Sequence, residues 1–94
     1  MGKYVKLPIV IEAHQWDGTV LSATLIIDWI LDHDHVARYH GVGEMVIDTL
    51  EGQMSVSPMD WVIRGVKGEF YPCKPDIFYA TYMPESLKEE VTYG

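Results

Sequence analysis

Residues 8–16, "PIVIEAHQW", alternate along a β-branched run, and this period of two predicts a strand. Ile9, Ile11 and Ala13 share one face, while Val10, Glu12, His14 and Trp16 share the other. Asp17-Gly18 closes the run with a turn signal. The period then changes. In residues 22–35, "SATLIIDWILDHDH", Leu25, Ile26, Trp29 and Ile30 recur at helical spacing after Leu21, with Asp28 and Asp32 on the opposite side. Ser22 is the expected N-cap. The helix is expected to run on through "VARY", with Gly41 or Gly43 as its stop.

Alternation returns twice more. "EMVIDTLEGQMSVS" (44–57) reads as a hairpin looped at Glu51-Gly52, which sets Ile47 opposite Val56 and puts Met45, Ile47, Met54 and Val56 on one face. "DWVIRGVKGEFYPC" (60–73) reads as a second hairpin looped at Lys67-Gly68. In that register Arg64 opposes Tyr71 and Val62 opposes Cys73, leaving Trp61, Ile63 and Phe70 for the core face. "KPDIF" (74–78) is expected to form one helical turn that plugs the core with Ile77 and Phe78; "YATYM" (79–83) is expected to return as a last strand. The pattern predicts a single α+β domain over residues 1–94, with a frayed tail at 84–94. A small, mostly antiparallel sheet of about five strands packs against one main helix.

Composition alters this picture little. An apolar share of 48% supports a core over most of the chain. A single cysteine, Cys73, forms no internal disulfide and fits a reducing, cytoplasmic setting. The net charge of −7 argues against general nucleic-acid binding. The apolar run "VLSATLIIDWIL" is too short and polar to span a bilayer, and no targeting segment is expected.

Several clusters bear on chemistry. Asp32, His33, Asp34, His35 and His40 invite a metal, but His33 and His35 diverge on a helix, and a solvated helix end accounts for the run; no metal and no cofactor are expected. Cys73 would need a histidine such as His14 to act as a nucleophile. Glu69 with Asp76 or Glu12 would need a defined separation for acid–base work. "HGVGEM" lacks the lysine of a phosphate loop. Arg64, Lys67, Tyr71 and Lys74 form the richest cluster. Cations beside an aromatic ring suit a flat anionic ligand such as a nucleotide, with Trp16 as a further wall. A solvated edge hairpin, whose lysines deter strand pairing, accounts for the same residues.

The opening "KYVKLPIVIEAHQW" and the closing "SPMDWVIRGVKGEFYPCKPDIFYATYMPE" together resemble a recurrent group of small proteins encoded by tailed phages and prophages. That group opens with a "PVVIEAxQW"-like strand and ends in a "PGDWIxxGVxGExYPCKPDIFxxTY"-like block. The resemblance implies phage origin and a compact fold in which the terminal blocks pair, and it carries no activity with it. One departure is Met59, which stands where the group's pattern has glycine; a turn needing positive φ would be strained there, so the turn before Trp61 is expected to differ.

Three functions follow as expectations. The first is a non-enzymatic accessory protein in the host cytoplasm, binding a small anionic host signal or a host defence or regulatory protein. The second is a virion or assembly component that self-associates as a homo-oligomer through an exposed strand edge. The third is a small hydrolase using His14 with Glu69 or Cys73.

Overall fold

The computed structural model describes residues 2–41 and 43–86. Eight elements follow in order: β1 (Glu12–Gln15), α1 (Val20–Asp32), β2 (Ala37–His40), β3 (Glu44–Thr49), β4 (Gly52–Val56), β5 (Trp61–Arg64), β6 (Phe70–Cys73) and α2 (Pro75–Thr81). The class is α+β, as the patterning predicts, but the strands divide into two antiparallel three-stranded sheets, ordered β1-β5-β6 and β2-β3-β4. β1 pairs with β5, so the two terminal blocks meet. The part of the expected frayed tail at 87–94 lies outside the described residues.

One core is enclosed by both sheets and α1. Trp16, Ile30, Met45, Ile47, Val56 and Val62 are wholly buried, with Ala23, Ile26, Ala37 and Phe70 completing the cluster. Burying a large aliphatic or aromatic side chain of this kind contributes roughly 1.5–3 kcal/mol. α1 begins earlier than its pattern suggests. Thr19 is the N-cap, its hydroxyl accepting from the Ser22 amide at 3.1 Å, so Ser22 sits inside the helix.

The helix also ends earlier. Asp34 takes φ 62°, the His35 amide reaches the Ile30 carbonyl, and the Asp34 amide reaches the Leu31 carbonyl. This is a Schellman closure with aspartate where glycine is usual. Released from the helix, "ARYH" becomes β2, and neither Gly41 nor Gly43 serves as the stop.

Both hairpins keep the expected strands and change the expected register. In the first, Thr49 pairs with Gly52 and Ile47 with Met54, so the loop is Leu50-Glu51. This is a slip of two relative to a Glu51-Gly52 loop, and a slip of two preserves faces. Met45, Ile47 and Val56 are accordingly buried, while Met54 stays at the surface.

In the second hairpin, Arg64 pairs with Phe70, Ile63 with Tyr71, Val62 with Pro72 and Trp61 with Cys73. The loop is the three residues Val66-Lys67-Gly68. The Gly68 amide donates to the Gly65 carbonyl, and the Gly65 amide donates to the Glu69 carbonyl. A two-residue primed turn would need positive φ at Lys67 as well as at Gly68. In the three-residue loop only Gly68, at φ 82°, leaves the ordinary region. This slip of one turns β6 over relative to β5. Val62 and Phe70 face the core, and Trp61, Ile63, Tyr71 and Cys73 face the other side.

That other side is roofed by α2 and by the segment before β1. The single turn expected at 74–78 continues through Tyr79-Ala80-Thr81, so no final strand forms. Ile77 is exposed, and Phe78 stacks on Trp61 with centroids 3.9 Å apart and planes 3° from parallel. β1 is also shorter than residues 8–16. Glu12 opposite Arg64 is its last rung, because beyond Arg64 the partner strand turns into its loop. Pro8 donates no ladder hydrogen bond, and around it the Ile9 amide closes on the Leu7 carbonyl.

The turn into β5 does not differ as the methionine suggests: Met59 itself takes the positive φ. Asp60 donates its amide to the Ser57 carbonyl at 3.0 Å across Pro58-Met59, and Met59 has φ 75°. Proline then a positive-φ residue is a type II turn, which favours glycine at the third position. The left-handed region costs a residue with a Cβ roughly 1–2 kcal/mol. Glycine forfeits about half of that gain through its freer unfolded state. Met59→Gly is therefore expected to stabilise the protein by about 0.5–1 kcal/mol, read as a higher urea midpoint, while Met59→Ala brings no such gain.

Candidate functional site

The hairpin cluster does not assemble. The one-residue slip puts Arg64 and Tyr71 on opposite faces of the sheet, so the two residues expected to oppose each other do not. Arg64 instead bonds Glu12 of β1 through Nη1 at 3.1 Å. Lys74 spans to Asp60, with Nζ 2.9 Å from Oδ2 and 3.2 Å from Oδ1. Lys67 is exposed at the loop tip, where its amide donates to the Glu69 carboxylate. Trp16 is wholly buried, its indole N–H donating to the Thr19 carbonyl, so it lines no pocket. The five residues thus occupy five separate settings.

Tyr71 lies under the roof beside Tyr82. Burial, then the Tyr82 hydroxyl, then the neighbouring Glu69 and Cys73 charges hold its phenol well above its ordinary value. The folded chain keeps a proton that the unfolded chain releases near pH 10. Stability is therefore present below that pH and is lost as pH rises toward the folded value. Tyr71→Phe is expected to flatten the fall in melting temperature above about pH 10, measured against wild type over the same range.

The groups considered for catalysis are also dispersed. Burial, with the Asp60 and Asp76 carboxylates behind it, pushes the Cys73 thiol up, the opposite of what a nucleophile needs. His14 is on the face of Val62, and Cys73 is on the face of Trp61. His14 instead meets Trp29 edge-on at 4.5 Å. Glu12 is bonded to Arg64 and Glu69 to the Lys67 amide, while Asp76 lies in the first turn of α2.

In the histidine-aspartate run, Nδ1 of His33 bonds the Trp29 carbonyl at 2.8 Å and His35 packs on Phe70 at 5.2 Å. Among the described residues no three His, Cys, Asp or Glu side chains converge as metal ligands. No helix among them is long and apolar enough to cross a membrane.

Two concavities stand out among the described residues. The smaller, about 290 Å³, lies at the start of α1 between His14, Gln15, Asp17 and Ser22. The Asp17 carboxylate accepts from the Thr19 hydroxyl and amide there, and these bonds hold it below its usual value. A carboxylate already faces the helix start, which disfavours a second anion.

The larger is a groove of about 690 Å³ between two walls. One wall is the extended segment Lys6 to Ile11. The other is Phe78 to Glu85, from α2 onward, with Ala13 and Trp61 between them. Lys6 lies over the Tyr82 ring, Nζ 4.7 Å from its centroid, and braces one wall against the other. Val10, Tyr79 and Met83 line the groove and remain more than half exposed. The segment before β1 continues the apolar surface outward: Tyr4 is 94% and Val5 92% exposed.

The sequence held one signal for this groove. It was the apolar content of "YVKLPIVI", whose residues 8–11 read as strand on pattern and are freed from a ladder by Pro8 and the hairpin loop. Comparison with protein-family models, with curated proteins and with solved structures returned no match.

Proposed function

We propose that this chain is a non-enzymatic accessory binding protein of phage origin that takes an extended apolar stretch of polypeptide in the groove between residues 6–11 and 78–85. One observation carries the reading: the groove is large, apolar and open, and Leu7, Val10, Tyr79 and Met83 on its walls stay more than half exposed. Scattered surface apolar residues need no explanation, but a contiguous set facing a cleft marks an interaction site.

The anionic-ligand form of binding has less support, because Arg64 and Lys74 are each engaged by a carboxylate on separate elements. A polypeptide suits the walls better. Its side chains fill an apolar cleft, and its backbone requires only scattered polar partners. The phage setting rests on the resemblance of the two terminal blocks.

A photoreactive benzoylphenylalanine at position 79, compared with the same group at position 67, tests the reading. Irradiation in the producing cell is expected to join a defined polypeptide at position 79 and none at 67. Adducts only at position 67, or none at either position, would overturn the groove as the binding surface.

A further inference from the structure

The pattern sets Leu21 and Leu25 opposite Asp28 and Asp32, but the structure puts all four on one face of α1. Ala23, Ile26 and Ile30 are the residues that the helix buries in the core. At about 100° per residue, the side directly opposite them carries Leu21, Leu25, Asp28 and Asp32. Leu21 is 73% and Leu25 64% exposed, and both aspartates are exposed as well. The two leucines also border the smaller concavity, which Asp17 lines. The outcome is a ridge about 16 Å long, two leucines and then two carboxylates, each pair one turn apart.

The charge of this ridge is one-sided. No lysine or arginine occurs between Lys6 and Arg38. Among the described residues the ion pairs are Arg38–Asp48, Arg64–Glu12 and Lys74–Asp60, so Asp17, Asp28 and Asp32 stand outside all of them. Asp28 and Asp32 also approach the negative end of the helix dipole, where the last turn has no basic residue. Like charges four residues apart repel, and a carboxylate opposes the dipole at that end. The fold thus carries an electrostatic conflict that a cation from outside relieves.

We propose that the outward face of α1 is a second docking surface, independent of the groove, and that its partner is a basic amphipathic helix of another polypeptide. Rows of residues four apart are the ridges that two packed helices interdigitate. Apolar side chains of the partner lie against Leu21 and Leu25, and its Lys or Arg side chains reach Asp28 and Asp32. Other occupants fit worse. Nucleic-acid phosphates and anionic lipid surfaces meet the carboxylates with like charge. A neutral apolar segment takes water from the same carboxylates and returns no partner. The same face of a second copy offers no cation. Ion pairs at a rim are weak and screened by salt, so this contact dissociates on dilution.

Titration of the full chain with a labelled helical peptide of about 18 residues, built from leucine and lysine, tests the proposal; its leucine and glutamate counterpart is the control. The wild type is expected to bind the first peptide and not the second. Asp28→Asn with Asp32→Asn is expected to weaken binding about fivefold, and Leu25→Ser about tenfold. Glu51→Gln with Glu85→Gln removes the same charge from other surfaces and is expected to change affinity less than about twofold. The urea midpoint of the Asp28, Asp32 variant is expected to hold or rise, because a charge that opposes the dipole is gone.

Equal losses from the two charge-removing pairs would overturn the proposal, since net charge alone would then hold the peptide. Binding lost on Met83→Asp and kept on Leu25→Ser would overturn it by assigning the peptide to the groove. A wild type that binds neither peptide would overturn it too, and so would a lowered urea midpoint, which would make the two carboxylates part of the fold.

Discussion

Replacing Asp60 by alanine is expected to lower the unfolding free energy by about 3 kcal/mol, the lower end for breaking a buried ion pair. Asp60 is 2% exposed and uses every polar group it has. Its carboxylate accepts the Ser57 amide at 2.9 Å and both bonds from Lys74, and its amide closes the turn onto the Ser57 carbonyl. Its carbonyl accepts the Trp16 amide at 3.0 Å and so ties β1 to β5 past the last residue of the strand.

Lys74 is the N-cap residue of α2 and makes no side-chain cap bond there; its ammonium is spent on Asp60. The Lys74 side chain is 58% exposed and recovers water when its partner is lost, which keeps the figure at the lower end. Lys74→Met leaves a buried carboxylate with one donor, and a comparable loss is expected. Asp60→Asn keeps an acceptor for the Ser57 amide and is expected to cost less than alanine. Urea unfolding of these variants and of the Asp60→Ala/Lys74→Met double variant checks the account. Losses that simply add would show that the pair is not coupled.

Phe70→Ala is expected to cost about 3–5 kcal/mol, the range for removing a buried aromatic ring. Phe70 is 1% exposed and is the first residue of β6. Its ring meets Trp29 edge-on at 4.9 Å, His35 at 5.2 Å and His33 at 6.1 Å. It thereby joins the hairpin to the end of α1. A small domain has roughly 5–15 kcal/mol in total, so the variant is expected to be partly unfolded at 37 °C. Phe70→Leu refills much of the volume and is expected to lose less. Near-ultraviolet circular dichroism together with urea melts distinguishes loss of packing from loss of fold. A Phe70→Ala protein with a native urea midpoint would mean that the ring is not part of the core.

The sequence exposed β1, α1 and both hairpins because each depends on local period, whereas Met59 drew notice only through the resemblance. What it hid was register. In "GVKGE" the glycine announces a turn, but whether the loop holds two residues or three is decided by the cost of positive φ at Lys67. That one residue determines whether Arg64 meets Tyr71 or Phe70, and with it the candidate ligand cluster. In "TLEGQ" the same choice moved the register by two and left the faces intact, so the core assignment survived. The stop of α1 was hidden because aspartate, not glycine, occupies the left-handed position. The extension of "KPDIF" through Thr81 was hidden because "YATYM" has as much strand character as helix character, and stacking of Phe78 on Trp61 favours the helix.

The groove was the least legible feature. It arises from two segments far apart in sequence, each read on pattern as a strand, that lie across the outer face of one sheet without pairing.

The most direct test of the account is the mass of the protein isolated gently from the cells that make it, followed by denaturation and identification of whatever is released. Any added mass is expected to be polypeptide, lost when Met83 is replaced by aspartate and kept when Arg64 is replaced by alanine. A single chain that releases a stoichiometric small anion, lost on Arg64→Ala and retained on Met83→Asp, would contradict it and return the site to the hairpin.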